Sequence, residues 1–238
     1  MENNIIRTLR QTLKERVDPK VLKSSDRFFK QGERAKVYGV RMFDVSKIAK
    51  EFYKTISGQP KTEIFSLCEE LWQSGYLEEA VVACECAYAF RKQYELEDFE
   101  IFARWLSVYV DNWASCDTLC NHTIGTFVEQ YPQYISHLKE WTKSDNRWVR
   151  RGAAVTLIIP ARKNLFFNDI LEIATAMLSD SDDMVQKGYG WMLKAASQAR
   201  QQDVFDYVIS QKAVMPRTAL RYAIEKMPKE LKAEAMKR

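Results

Sequence analysis

Trp113 and Asp117 stand four residues apart in the segment DNWASCD (111–117), so on a helix both side chains project to one side. A carboxylate beside an indole face makes a site for a cation, the acid supplying charge and the ring its negative quadrupole. The same spacing also fits a core Trp next to an ordinary capping or surface Asp. Trp148 and Arg151 again place an aromatic ring and a charge at helical spacing, and Trp191 follows further along. Trp72, Trp105 and Trp141 read as packing at helix-pair seams. Cys116, Cys120 and His122 could be imagined as metal ligands, but His122 lies two residues past Cys120 and turns well away from it on a helix. Cys84 and Cys86 point to different helix faces for the same reason. All five cysteines are expected to be small, buried, reduced thiols, with no metal site. Neither a glycine-rich phosphate loop nor a nucleophile elbow occurs in the chain.

The elements that must position these residues read as helices. The 238 residues include only 8 Gly and 6 Pro, too few turn formers for a many-stranded β fold. From Tyr76 to Ile124 there is neither, and apolar residues recur at three- and four-residue spacing. Leu77, Val81, Cys84 and Tyr88 trace one face that closes in Arg91 and Lys92, as a helix C-terminus prefers. Pro19, Pro60, Pro132 and Pro228 suit first helical positions, and Ser144/Asp145 and Ser181/Asp182 are N-cap candidates. SDNRWVRRGAAV (144–155) aligns with DSDDMVQKGYGW (180–191) at an offset of 36, and doubling that offset places Tyr76–Ala80 under Trp148–Gly152. Ala80, Gly152 and Gly188 supply the small residue that lets neighbouring helices approach. A helix-pair repeat of this length is close to the tetratricopeptide and HEAT-like classes. The expected architecture is an all-α, right-handed α-solenoid of HEAT-like helical hairpins, one domain over residues 1–238, curved with a concave basic face.

The net charge of +4 is unevenly placed. Residues 1–61 carry +8, residues 62–143 carry −9 and residues 144–238 carry +5. Two basic ends around an acidic middle suit a polyanion held by the flanks, and they equally suit solvated helix faces. Arg147, Arg150, Arg151, Arg162 and Lys163 follow one another with no acid between them, which favours the polyanion, with DNA or RNA the candidates. No apolar run is long enough to span a membrane, and the charged N-terminus lacks a secretory h-region, so a cytoplasmic protein is expected.

DNWASCD, SDNRWVRRGAAV and VQKGYGW, in that order, resemble successive signatures of the AlkD-like DNA alkylation-repair glycosylases. YGVRMFDVSKIAK (38–50) and LWQSGYLEEAVVA (71–83) are similar to further family segments, so the resemblance spans most of the chain. It implies a curved HEAT-like stack that binds duplex DNA and excises cationic alkylated purines such as 3-methyladenine and 7-methylguanine. Asp117 matches the family's catalytic aspartate, Trp113 and Trp191 the tryptophans flanking the lesion's sugar and backbone, and Arg151 a DNA-contacting arginine. Ala114 stands where the family commonly has another Asp, and Gly152 where Ala is common. The chemistry suits these residue types. A cationic purine leaves without a general acid, and a fixed carboxylate stabilises the oxocarbenium-like sugar and orients water. No cofactor is needed, and one copy suffices to clasp DNA. On this reading the protein is nucleoid-associated when bound. Arg147 and Arg150 are expected to join Arg151 on the DNA. Two other readings remain: a non-catalytic binder of DNA structures, and a protein-interaction scaffold.

Overall fold

The computed structural model describes residues 4–25, 29 and 36–237, built from helices, with one isolated parallel bridge (Lys36 to Tyr76) and no strand among them. Arg27, Lys30 and Arg34, counted in the basic first third, lie outside the described residues. The chain divides into two compact units, Met1–Leu119 and Cys120–Arg238.

The first unit contains α1 (Asn4–Glu15), α2 (Pro19–Ser25), α3 (Met42–Ile56), α4 (Lys61–Gln73), α5 (Leu77–Ala89), α6 (Asp98–Val108) and α7 (Trp113–Thr118). Its centre is α5, which packs against α3, α4 and α7. Ten of the thirteen residues of α5 are buried, as expected of a helix apolar on nearly every side. Two of the ten are acids. Glu78 accepts backbone N–H groups from Tyr38 (3.0 Å), Gly39 (2.8 Å) and Val40 (3.1 Å), and Glu79 accepts Arg10 and the Tyr38 hydroxyl. These bonds fasten the segment before α3 to the centre of the unit. Alternate helices α4 and α6 meet through Phe65 and Phe102, with ring centroids 5.8 Å apart. Glu69 of α4 adds bonds from Arg104, the Trp105 indole and the Tyr109 hydroxyl. Burial pushes the Glu69 carboxyl up, but those three donors outweigh it and hold the group below its ordinary value.

The second unit opens within a π-helical turn (Leu119–Ile124) and contains α8 (Gly125–Gln130), α9 (Ile135–Trp141), α10 (Arg147–Val155), α11 (Ile158–Arg162), α12 (Phe167–Ala176), α13 (Asp183–Ala196), α14 (Gln201–Gln211), α15 (Arg217–Ala223) and α16 (Lys229–Met236). One series of helices, α10, α13 and α15, packs in sequence. A second series runs through α9, α12, α14 and α16, with α12 joined to α14 by the Thr175 and Tyr207 hydroxyls at 3.0 Å. The repeat appears in polar pairs: Lys61 with Asp98, Glu69 with Arg104, Glu129 with Lys163 and Asn164 with Arg200 are 34 to 37 residues apart. A side chain on one helix pair therefore reaches the corresponding place on the next.

Gly190 lets α13 and α15 cross closely. A Cβ there would stand 2.7 Å from both the Ala219 carbonyl oxygen and Tyr222 Cβ. Gly190→Ala is expected to cost about 1–3 kcal/mol through forced displacement of α15, lowering the thermal midpoint by several degrees. An unchanged midpoint would show that α15 is not held by this contact. At Gly188 the approach is looser, a Cβ there standing 3.2 Å from Arg151 Cγ and 3.6 Å from Val155 Cγ1 of α10.

Local starts differ from the sequence reading in detail. Pro19 and Pro132 open their elements, but Pro60 and Pro228 sit one residue earlier, at the N-cap, with extended ψ of 146° and 157°. A proline ring suits that position too, because its fixed φ is compatible with extended backbone. Asp182 caps α13 through the amides of Met184 and Val185, whereas α10 is capped by Asn146 rather than Ser144 or Asp145. Ser144 instead accepts the Asn146 amide, setting the turn that presents the cap. All five cysteines are buried. Trp72 and Trp105 are core residues, while Trp141 is half-buried.

Candidate nucleic-acid interface

Trp113 is the first residue of α7, and Asp117 follows one turn later. The Asn112 side chain accepts the Ser115 amide at 2.9 Å, fixing where the helix begins and so where the indole emerges. Ser115 and Cys116 are buried, with α7 packed on α5, while Trp113, Ala114, Asp117 and Thr118 are half-buried. The indole and the carboxylate thus share the less buried side of the helix. Asp117 is not interred in the core. Phe29 stands beside Trp113 with ring centroids 6.2 Å apart.

In the second unit, the three arginines of α10 all reach the start of the next helix pair. Arg147 Nε lies 2.9 Å from Asp182, and its guanidinium sits 4.8 Å over the Trp148 ring. Arg150 donates to Asp180 at 2.6 Å and to the carbonyls of Ser144 (2.8 Å) and Asp145 (3.0 Å). Arg151, only 4% exposed, donates to the Met184 carbonyl and lies across Gly188. From sequence alone these side chains read as cations available to a polyanion. Their partners at 180–184 were legible only through the 36-residue offset, which places Asp182 on Asn146.

Trp191 is half-buried on α13. Lys187 and Lys194, one turn before and one turn after it, bracket the indole, which the sequence reading missed although the spacing shows it. Lys187 pairs with Asp183 at 3.2 Å; Lys194 pairs with Glu225 at 2.9 Å and sits 5.5 Å over Tyr222. Salt-bridging to Lys194 holds the Glu225 carboxyl below its ordinary value. Trp113 and Asp117 belong to the first unit; the arginines and Trp191 belong to the second.

The model of the DNA alkylation repair enzyme family matches residues 9–227. The chain belongs to that family. A predicted DNA alkylation repair enzyme from Enterococcus faecalis has a similar fold, with a TM-score of 0.76 at 18% identity, covering 90% of this chain and 98% of that one. Among curated proteins none matches. The family works on DNA, and no helix among the described residues is long and apolar enough to cross a membrane.

For a family member the distribution of charge in the second unit is informative. Helices α10, α13 and α15 carry seven Lys/Arg against one Asp, a net +6. Helices α9, α12, α14 and α16 carry three against seven acids, a net −4. Charge is sorted by helix series, so one series is far better suited than the other to a polyanion.

Proposed function

We propose that the protein is a monofunctional DNA glycosylase that releases cationic N3- and N7-alkylated purines from duplex DNA, acting as a monomer. The observation that carries this reading is the half-buried Asp117 carboxylate one helical turn from the half-buried Trp113 indole, on the less buried side of α7, in a chain of the alkylation repair family. A purine alkylated at N3 or N7 is already positively charged and needs no proton to depart. The remaining barrier is the positive charge that grows on the deoxyribose as the glycosidic bond lengthens. A fixed carboxylate stabilises that charge and orients the water that ends at C1′, and an indole face adds cation–π attraction. In the first unit Trp113 lies against the sugar of the lesion, and in the second unit Trp191 contacts the DNA backbone. The α10, α13 and α15 series supplies the positive surface for the duplex, chiefly through the cations of α13 and α15. No metal or cofactor enters the scheme.

Incubation with a duplex containing 7-methylguanine, scored for abasic sites, tests it. Release well above the spontaneous rate is expected, and release at the spontaneous rate would sink the catalytic reading. Ala114, on the same side of α7 as Asp117, stands where the resemblance to the alkylation-repair glycosylases leads one to expect a second acid. It favours one alternative, a DNA-structure binder without excision, which predicts binding in the same experiment and no abasic sites.

A further inference from the structure

We infer that in the second unit the phosphodiester backbone is gripped by Lys187 and Arg221, whereas the arginines of α10 chiefly join successive helix pairs. This rests on the proposed DNA-binding role and goes beyond it by sorting the cations of the basic series by how committed each already is.

Arg150 has three acceptors within the protein, a carboxylate and two carbonyls, between 2.6 and 3.0 Å. Arg151 is buried to 4% exposure against the Met184 carbonyl. Arg147 is divided between Asp182 and the face of Trp148. To contact a phosphate fully, each would have to surrender a bond that fastens α10 to the start of α13. Lys194 is tied to Glu225 with its side chain only 15% exposed.

Lys187 and Arg221 differ. The Lys187 partner is Asp183 on the same helix, four residues away, and both side chains are about one-third exposed (30% and 37%). Such a pair is weakly held in water and gives way to a more highly charged anion without disturbing packing. Arg221 is exposed on α15 and has no ion-pair or hydrogen-bond partner among the described residues. It adjoins Tyr222, the residue that meets Gly190 where α15 crosses α13. Gly190 in turn adjoins Trp191, and Lys187 lies one turn before that indole. Each of these two cations thus lies within one helical turn of a residue at the crossing beside Trp191. With the acids that pair with it from just outside these helices, Asp180, Asp182 and Glu225, the series keeps a net +3, the sign that suits a duplex backbone.

The test is equilibrium binding of the full chain to an unmodified duplex across a salt series, with thermal midpoints measured alongside. Lys187→Ala and Arg221→Ala should each make the log–log salt slope shallower by about 1, and together by about 2. Their thermal midpoints should stay at the wild-type value, and Lys187→Arg should restore the slope. Arg150→Ala should lower the midpoint and leave the slope nearly unchanged. A wild-type slope in the double variant, with the wild type binding tightly, would overturn the inference while leaving the glycosylase reading standing. A shallower slope in Arg150→Ala at an unchanged midpoint would overturn it as well. If the wild type itself shows no salt-dependent affinity for duplex, the proposed function falls together with it.

Discussion

Asp117→Asn should abolish most excision of 7-methylguanine while leaving the affinity for undamaged duplex near the wild-type value. The substitution keeps the shape of the side chain and removes its negative charge. If that charge opposes a developing oxocarbenium ion, its loss should slow release by about 10²–10³-fold, the usual scale for removing one electrostatic contributor to a transition state. Binding should be spared because the duplex is held by cations of α13 and α15 rather than by an acid, whose charge opposes phosphate. Folding should also be spared, since the buried side of α7 is formed by Ser115 and Cys116 and its cap by Asn112. The measurement is a single-turnover rate of abasic-site formation beside a dissociation constant and a thermal midpoint. A variant that excises at the wild-type rate would show that Asp117 is not the catalytic group. A variant that loses binding and excision together would show that residue 117 organises the protein instead.

Much of the fold was legible in the sequence because helical periodicity and repeat spacing are local or self-referential signals. The 36-residue offset read from the sequence is also the spacing of the Asn164–Arg200 pair. Asp182 was readable as a cap because a short acid before an apolar helix has one favoured use. What stayed hidden depended on which of two neighbours wins. Ser144, Asp145 and Asn146 are all capable caps, and Asn146 takes the role while Ser144 accepts its amide. The arginines of α10 read as free charge because sequence shows sign but not partner. Their acceptors include backbone carbonyls, which no composition reveals. In the candidate site, Trp113 and Asp117 were legible as a pair from their spacing, and their partial burial on the less buried side of α7 is what the structure adds.

Glu79 gives the sharpest case of a misleading local pattern and the largest expected effect on stability. In LWQSGYLEEAVVA, two adjacent acids look like the solvated start of a helix, favoured there by the helix dipole. In the structure the Glu79 side chain is fully buried and accepts Arg10 Nε and Nη2, each at 3.0 Å, and the Tyr38 hydroxyl at 2.6 Å. Burial, then the bond to Glu79 and its charge, push the Tyr38 phenol well above its ordinary 10.0. Glu79→Gln leaves the Arg10 cation against a neutral amide. Because the Arg10 side chain keeps 23% exposure, the low end of the usual cost applies, about 3 kcal/mol. For a chain of this length that is a fall of roughly 10 °C in thermal midpoint. The pH dependence has a definite sign. Above pH 10 the unfolded phenol ionises while the native one keeps its proton, so wild-type stability declines there. Glu79→Gln removes two of the causes that raise the phenol, so it should lose less, and the gap between the two midpoints should narrow as pH rises past 10. Replacing both partners, Arg10→Met with Glu79→Met, should recover much of the loss, because the penalty lies in the stranded charge rather than in a missing attraction. A double variant no more stable than Glu79→Gln would assign the cost to packing around α5 instead.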